Sequence, residues 1–257
     1  MEKEVLYRTK TAFNDIWVTK EGNILTLYSP SSYKQTAINE SNPFIPHLEY
    51  ARNTILGLVF YPAPESILVM GLGGGSIPMM FHNICKQTHI DVVEIDPEIV
   101  EIAKKYFHFN TSSRLQFHID DASLFVKKSN ERYDLIIMDA YIGNKLPRSL
   151  TTAKFFSEIN RLLSLNGTFI ANVVRKNRRE FQKLLKKNGF ENKDVWLLPG
   201  IRSRNTVVFA SRGAHISKKE LLLQTDRVQK DFPFDFQLIN LTRRLKHPLD
   251  FFSLTSY

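Results

Sequence analysis

The sequence predicts an α/β fold built on a mostly parallel sheet, and two observations carry this prediction. Short apolar runs alternate with amphipathic segments between residues 67 and 188, which is the pattern of consecutive βαβ units. A glycine-dense turn at 71–76 follows the first of these runs, and a carboxylate, Glu94, stands 23 residues beyond Gly71. In a parallel sheet this arrangement indicates a nucleoside site at the carboxyl ends of the first two strands.

The N-terminal residues differ in pattern from the rest. Apolar runs at 16–18 and 24–28 flank a polar turn that contains Gly22, so we expect a β-hairpin there. Residues 48–61 carry apolar side chains at helical spacing and predict a helix. We therefore divide the chain into three parts, which are an N-terminal β-hairpin region (1–50), a nucleoside-binding domain (51–212) and a basic C-terminal extension (213–257).

The central region reads as alternating strands and helices. Continuous apolar runs are typical of buried parallel strands, whereas a helix start is marked by a capping residue or an early proline, as at Pro78 and at Asp96-Pro97. Strands are predicted at 67–71, 90–95, 115–119, 133–138 and 168–174, helices at 77–86, 97–107, 122–128, 152–163, 178–188 and 218–230, and a closing pair of strands at 194–198 and 206–210.

Composition excludes several classes of protein. A single cysteine, Cys85, rules out an internal disulfide framework and a cysteine-based zinc site, and the histidines lack metal-ligand spacing. The N-terminus has no apolar signal region, and no apolar stretch approaches the roughly 20 residues of a membrane helix. We therefore expect a cytoplasmic protein that has no metal and no contact with a membrane.

The net charge of +9 lies in the C-terminal third of the chain. Residues 171–257 contain 18 Lys or Arg and 8 Asp or Glu, a net charge of +10, and the densest segment is 175–193. Apolar residues recur there at helical spacing, which predicts an amphipathic helix with a basic outer face. That face is either simply solvated or a surface for an acidic partner such as RNA, although no RNA-binding motif supports the second interpretation.

Four chemical features follow four successive strands. They are the glycine turn at 71–76, Glu94 with Asp96, Asp120 with Asp121, and Asp139. Each alone has a purely structural explanation, since a glycine turn can simply be tight and an aspartate can simply cap a helix. Together they stand at the sheet edge where α/β proteins bind ligands, so the combination favours a nucleoside site.

Five motifs resemble the spermidine-synthase-like family, within the Rossmann-type methyltransferase superfamily. They are residues 71–78, Val-Glu-Ile-Asp-Pro at 93–97, Asp-Ala at 121–122, Tyr-Asp-Leu-Ile-Ile-Met-Asp at 133–139 and Leu-Thr-Thr-Ala-Lys-Phe-Phe at 150–156. The resemblance covers about residues 10–210. It implies a Rossmann-like seven-stranded sheet with an antiparallel last strand and a small N-terminal β region. It also implies an S-adenosyl ligand, either S-adenosylmethionine or its decarboxylated form.

The resemblance also implies roles for single residues. Glu94 would bind the ribose hydroxyls, and Asp139 would stand beside the sulfonium as the catalytic base. Asp121 would accept a hydrogen bond from the adenine amino group. The remaining implied nucleoside-binding positions are Gln35, Gly71, Gly73, Gly75, Ser76, Asp96 and Ala122. Independently of the resemblance, Tyr141, Asn144, Lys145 and Arg148 follow the fourth strand and form either a flap over the acceptor site or an ordinary polar loop.

Two departures from the family pattern bear on the reaction. The family carries an aspartate directly after its three glycines, where this chain has Ser76, and another where it has Ile142. An aspartate at the first position would repel the carboxylate of intact S-adenosylmethionine, by about 4 kcal/mol at 4 Å and an effective dielectric constant near 20. The serine therefore favours intact S-adenosylmethionine and methyl transfer.

Three alternatives to methyl transfer stay open. One is a polyamine aminopropyltransferase (a spermidine synthase) that uses the decarboxylated cofactor, and another is a non-catalytic nucleoside-binding module. A nicotinamide enzyme is the third, although the dinucleotide fingerprint requires Gly or Ala in place of Ser76. The acceptor is a small molecule that the sequence does not identify, and the resemblance is compatible with a homodimer formed through the N-terminal β region.

Overall fold

The computed structural model describes residues 3–29, 33–143, 145–174, 177–213, 215–232 and 234–248. Its N-terminal part is a four-stranded antiparallel sheet of β1 (Glu4–Lys10), β2 (Asp15–Glu21), β3 (Ile24–Ser29) and β4 (Tyr33–Asn39), in that order. The β2–β3 pair confirms the predicted hairpin. The outer strands β1 and β4 were not predicted from the sequence, since β1 has no buried residue and β4 is buried only at Thr36, Ala37 and Ile38.

The segment predicted as one helix at 48–61 is broken in the structure. It consists of α1 (Glu49–Asn53), a 3₁₀ turn (Thr54–Leu56) and α2 (Gly57–Phe60). Every residue from Asn53 to Phe60 is buried. This segment therefore packs on all sides, whereas the helical spacing of its apolar residues predicted a helix with only one buried face. A Cβ atom at Gly57 would lie 2.6 Å from Ile170 Cδ1, which shows how closely the backbone approaches the central sheet.

The central sheet has seven strands, arranged as the resemblance implied. In chain order they are β5 (Ser66–Met70), β6 (His89–Glu94), β7 (Leu115–Ile119), β8 (Tyr133–Met138), β9 (Leu163–Val174), β10 (Val195–Pro199) and β11 (Asn205–Ser211). Their spatial order is β10-β11-β9-β8-β5-β6-β7. The strands from β5 to β9 are parallel to one another, and β11 runs antiparallel to both β9 and β10.

Helices cover the sheet and connect its strands. They are α3 (Ser76–Ile84), α4 (Pro97–Tyr106), α5 (Ala122–Lys128), α6 (Ala153–Leu162), α7 (Arg178–Lys187), α8 (Lys218–Asp231) and α9 (Leu238–Arg244). Helices α4, α5 and α6 begin at the side-chain caps Asp96, Asp121 and Thr152, each of which accepts a hydrogen bond from a backbone N–H in the first turn. In α7 the basic residues surround two buried apolar ones, Phe181 and Leu185, whereas Arg175 and Lys176 lie outside the described residues.

The C-terminal segment packs onto the main domain. Leu221 and Val228 of α8 and Leu238 of α9 are buried in the same hydrophobic core as the segment 55–60 and strand β5. The described part of the predicted C-terminal extension, which begins at residue 213, therefore contributes side chains to the main hydrophobic core. None of the helices within the described ranges has the length and apolar character needed to cross a membrane.

The two sheets meet at the carboxyl ends of β5 to β9. The backbone N–H of Gly74, in the turn after β5, donates to Thr36 Oγ1 of β4 at 2.8 Å. This contact lays the N-terminal sheet over the edge where the predicted site residues emerge, so the site is enclosed rather than open to solvent on that side.

Candidate active site

A cavity of about 750 Å³ lies between the two sheets. One part, the β5–β7 end, is lined by residues that follow strands β5, β6 and β7, namely Gly71, Gly73, Glu94, Asp120, Asp121 and Ala122. The other part is the β8–β11 end. It is lined by residues that follow β8 and by residues of β9, the β10–β11 turn, the start of β11 and α1, namely Asp139, Tyr141, Asn172, Ser203, Arg204, Asn205, Glu49 and Tyr50. The cavity is large enough for a nucleoside together with a second small molecule.

The glycine turn needs glycine for conformation and for space. Gly71 has a φ of 92°, and a Cβ there would collide with the backbone carbonyl of Asp139. Gly73 has a φ of 54°, and a Cβ there would lie 2.8 Å from Thr36 Oγ1. Both glycines line the cavity, so the bare backbone of the turn faces any ligand that enters.

Glu94 ends β6 and joins the second strand to the glycine turn. Its Oε2 accepts the backbone N–H of Leu72 at 2.8 Å, and its Oε1 accepts that of Asp96 at 3.0 Å. Burial raises the pKa of Glu94, and these backbone hydrogen bonds partly oppose that rise. The carboxylate is held in place by the turn and lines the cavity, as expected of a group that accepts hydrogen bonds from sugar hydroxyls.

Three of the predicted nucleoside-binding residues do not line the cavity. Asp96 is only 2% exposed, caps α4 through the Glu98 N–H at 3.1 Å and accepts the Thr11 hydroxyl at 2.5 Å. Gly75 packs below Phe109, and Ser76 is buried in the first turn of α3. The cavity lining excludes all three, so the structure places them behind the ligand-facing surface.

Asp121 and Ala122 lie at the start of α5 and line the cavity. Asp121 Oδ1 accepts the backbone N–H groups of Ser123 at 2.7 Å and Leu124 at 3.3 Å, so the residue is a helix cap and also faces the cavity. Asp120 lines the cavity too, but its carboxylate pairs with Lys128 at 3.3 Å. Of the two acids, Asp121 is therefore the one without a cationic partner among the described residues.

Asp139 follows β8 directly and lies at the centre of the cavity wall. Burial raises the pKa of Asp139 to about 7, although its contacts with Asn172 and Tyr50 act in the opposite direction. Asn172 Nδ2 donates to Asp139 Oδ1 at 2.8 Å. A carboxylate that titrates near neutral pH inside a cavity has the properties of a general base.

The partners of Asp139 were not recognised from the sequence. The Tyr50 hydroxyl lies between the Asp139 carboxylate and the Gln35 carbonyl, to which it donates at 2.8 Å, and the negative charge adds to burial in raising the pKa of Tyr50. Asn205 Nδ2 donates to Asn172 Oδ1 at 2.8 Å. The available signal for Asn172 was a single polar residue near the end of an apolar strand, in the run Phe-Ile-Ala-Asn-Val-Val at 169–174.

The predicted flap is only partly at the cavity. Tyr141 lines it, donates to the Asn172 carbonyl at 2.8 Å and accepts the Val174 N–H at 3.3 Å. Lys145 and Arg148 do not line it, and Asn144 lies outside the described residues. The loop is tied to the N-terminal region, because the Gly143 N–H donates to Asn14 Oδ1 at 2.8 Å.

Comparison with curated proteins finds two kinds of relative. A polyamine aminopropyltransferase of Vibrio vulnificus is 40% identical over 129 residues, which is 49% of this chain and 43% of the relative. A polyamine aminopropyltransferase of Neisseria meningitidis is 26% identical over 233 residues, 88% of each chain. The human eEF1A lysine and N-terminal methyltransferase is 31% identical over 145 residues, which is 49% of this chain but 21% of the relative.

Similar solved structures also include both a spermidine synthase and a methyltransferase-like protein. A spermidine synthase in complex with the transition-state analogue AdoDATO matches with a TM-score of 0.74 at 17% identity, over 97% of this chain and 87% of the other. Human methyltransferase-like protein 13 in complex with SAH matches with a TM-score of 0.66 at 25% identity, over 74% of this chain and 95% of the other. The first match confirms the predicted fold over nearly the whole chain.

The family itself follows from the domain match. The model of the spermine/spermidine synthase domain matches residues 53–194, more than half of the chain, and this segment carries the glycine turn, Glu94, Asp121 and Asp139. The resemblance seen in the motifs is thereby confirmed, as is the prediction of a transferase. The chain belongs to the spermine/spermidine synthase family.

Proposed function

We propose that this protein transfers an aminopropyl group from decarboxylated S-adenosylmethionine to a primary amine. The observation that carries the proposal is Asp139, a half-buried carboxylate with a pKa raised to about 7 in a cavity wide enough for two substrates. Primary amines are protonated at neutral pH, so a nucleophilic amine requires a base at the reaction centre. Asp139 is the cavity acid whose partners, Asn172 and Tyr50, leave it free to accept that proton.

The reaction balances as a displacement at carbon. Asp139 takes a proton from the acceptor ammonium, and the freed lone pair attacks the aminopropyl carbon that is bonded to the sulfonium. A carbon–nitrogen bond forms as the carbon–sulfur bond breaks, and the bonding electrons stay on sulfur to give the neutral thioether methylthioadenosine. Asp139 then releases its proton to solvent. The protein contributes the base and the alignment of the two reactants.

The β5–β7 end would hold the donor. Its glycines present bare backbone, Glu94 would accept the ribose hydroxyls, and Asp121 with Ala122 would contact the adenine. Each hydrogen bond to the Glu94 carboxylate would contribute about 1.5–3 kcal/mol. Gln35 lines the same cavity from β4, although its described hydrogen bond is made by its backbone carbonyl.

Two findings favour aminopropyl over methyl transfer. The argument for methyl transfer depended on Ser76 facing the donor, whereas Ser76 is 6% exposed and does not line the cavity. The Neisseria relative that aligns over 88% of both chains is named for aminopropyl transfer, whereas the human methyltransferase relative aligns over 49% of this chain. The alternative left open by the sequence is thus the better supported reaction.

Methyl transfer stays the second candidate because of two features of the cavity. Residues 71–76 contain no carboxylate that would attract the ammonium group of the decarboxylated donor, and the nearby cavity residue Lys34 is cationic. Both features suit the carboxylate of intact S-adenosylmethionine. The 25% identical structure that contains SAH also belongs to a methyltransferase-like protein.

Donor titration and product mass test the proposal. Calorimetry with decarboxylated S-adenosylmethionine, intact S-adenosylmethionine and methylthioadenosine is expected to rank the decarboxylated donor above the intact one. Incubation with the decarboxylated donor and a primary amine is expected to give methylthioadenosine and an amine heavier by one aminopropyl group in mass spectrometry. A methylated amine from the intact donor would instead establish the second candidate, and no turnover with either donor would overturn both.

A further inference from the structure

Charge is unevenly distributed at the β8–β11 end, where the acceptor of the proposed reaction would bind. Two carboxylates line it, Asp139 and Glu49, and one guanidinium, that of Arg204. Lys34 adds a second cation to the cavity from β4. None of the ion pairs within the described residues involves Arg204 or Lys34, so both charges are available to a ligand.

Glu49 is already engaged by the protein. Its carboxylate accepts the backbone N–H groups of Ile201 at 2.8 Å and Arg202 at 3.0 Å, and it pairs with the Arg244 guanidinium at 3.3 Å. Burial raises the pKa of Glu49, but these N–H groups and Arg244 outweigh it and lower the pKa below its ordinary value. The charge of Glu49 is thereby neutralised, which leaves Asp139 as the acid at this end that can receive an ammonium group.

The contacts of Glu49 hold the β10–β11 turn at the cavity. Besides the two N–H groups held by Glu49, the Gly200 N–H donates to the Asn205 carbonyl at 2.9 Å, and Arg244 also donates to the Pro199 carbonyl. Arg204 directly precedes Asn205, whose side chain reaches Asp139 through Asn172. The turn therefore presents a cation at the same end of the cavity as Asp139.

We infer that the acceptor is a primary amine whose far end carries an anionic group, and that Arg204 recognises that group. This rests on the proposed function, whichever group the donor transfers. A diamine would bring its second ammonium toward Arg204 with no free carboxylate to receive it, since Glu49 is neutralised by Arg244. A carboxylate there would instead form a charge-assisted, bidentate pair with the guanidinium. The acceptor would thus differ from the polyamines named for the relatives.

Three amines with similar chains isolate the effect of the far group. γ-Aminobutyrate ends in a carboxylate, n-butylamine in a methyl group and putrescine in a second ammonium. With the donor that supports turnover, kcat/KM is expected to fall in that order, by about tenfold from γ-aminobutyrate to putrescine, because the exposed guanidinium attracts the carboxylate and repels the second ammonium. Binding of the same amines to protein saturated with methylthioadenosine is expected to follow the same order.

Arg204→Gln and Arg204→Glu test the assigned residue. The glutamine variant is expected to lose the preference for γ-aminobutyrate over n-butylamine, and the glutamate variant is expected to prefer putrescine over γ-aminobutyrate. Arg202→Gln is the matched control, because Arg202 is exposed on the same turn but does not line the cavity. This control is expected to keep the wild-type order.

The inference about the acceptor and the proposed function would be overturned by different results. A preference for putrescine in the wild-type protein, or equal effects of the Arg202 and Arg204 variants, would overturn the inference about the acceptor. Binding of methylthioadenosine without binding of any of the three amines would also overturn it, while the nucleoside half of the proposed function would stand. Failure to bind any nucleoside would contradict the proposed function itself.

Discussion

The two ends of the cavity are built in different ways. At the β5–β7 end every polar side chain lies at or just after the end of its own strand, and Glu94 and Asp121 are held by backbone N–H groups. At the β8–β11 end Asp139 depends on the side chain of Asn172, which in turn depends on that of Asn205, and each partner is 33 residues away along the chain. The first end is thus a set of local motifs, and the second is a network of distant side chains.

In the proposed function, the β5–β7 end binds the donor and the β8–β11 end carries out the chemistry. Backbone donors at the β5–β7 end fix Glu94 whichever side chains surround it, so this end is suited to hold an unchanging nucleoside. Side chains at the β8–β11 end tune the pKa of Asp139 and would set the charge around the proposed acceptor, so single substitutions there are expected to change the reaction. The following substitutions are designed to break one end while the other stays intact.

Replacement of Asp139 by Asn is expected to have the largest effect. The variant keeps the shape of the side chain but cannot accept the proton, so kcat should fall by about a thousandfold. Affinity for methylthioadenosine, measured by calorimetry, should change little because the β5–β7 end is untouched. In the wild-type protein kcat/KM should decrease as the pH falls below about 7, since protonation of Asp139 removes the base.

The same variant has a predicted effect on stability. The pKa of Asp139 is raised from 3.8 to about 7, so the folded protein favours the protonated form, and the associated stability is present at low pH and lost as the pH rises through 7. The asparagine side chain would stay neutral throughout, so the variant should be more stable than the wild type at pH 8, by up to about 4 kcal/mol, and equally stable near pH 4. Equal unfolding midpoints in urea at pH 8 would contradict the raised pKa.

Glu94→Gln tests the β5–β7 end alone. The amide keeps the shape and one acceptor oxygen but loses the charge, so two ribose contacts should weaken and affinity for methylthioadenosine should drop by about 30- to 100-fold. Asp96→Asn is the matched control, because Asp96 does not line the cavity and asparagine also caps helices well. Nucleoside affinities that fall alike in both variants would show that the turn was disturbed and the ribose assignment is wrong.

Asn172→Ala and Asn205→Ala test the network with smaller effects. Without the Asn172 amide the charged form of Asp139 loses a donor, so its pKa should rise further and the rate at pH 7 should fall about tenfold. Asn205→Ala removes only the bond that orients Asn172, so the shift should have the same sign and be smaller. The measurement is the pH profile of kcat/KM, and a loss of rate without any shift toward higher pH would contradict a role through Asp139.

Much of the fold and one half of the site could be predicted because local patterns encode them. Strands β7 and β8 were predicted to the residue. In β8 every residue is buried, and a buried parallel strand is a short apolar run with clear limits. Gly71, Gly73, Glu94 and Asp121 follow such strands and face the cavity as expected. Asp96 and Ser76 stand in the same motifs yet point into the protein, because a helix cap and a first-turn residue look alike in sequence whether or not they face a ligand.

The prediction failed where burial depends on distant segments. The helix expected at 48–61 is broken, because its Asn53–Phe60 part is enclosed between the central sheet and α8 instead of lying on a surface. Tyr50 and Asn172 were missed because their significance arises from contact with Asp139. The engagement of Glu49 by Arg244 could not be predicted, because the two residues are separated by 195 positions along the chain.

The sequence by itself determined the alternation of strands and helices, the glycine turn and the acids that follow the strands, because hydrophobic periodicity, backbone conformation and helix capping depend on neighbouring residues. Tertiary structure alone decided which of those acids face the cavity, how far burial raises the pKa of Asp139 and where the charges of Glu49 and Arg204 lie. The physical reason is that desolvation and ion pairing depend on distances between segments that only the folded chain brings together.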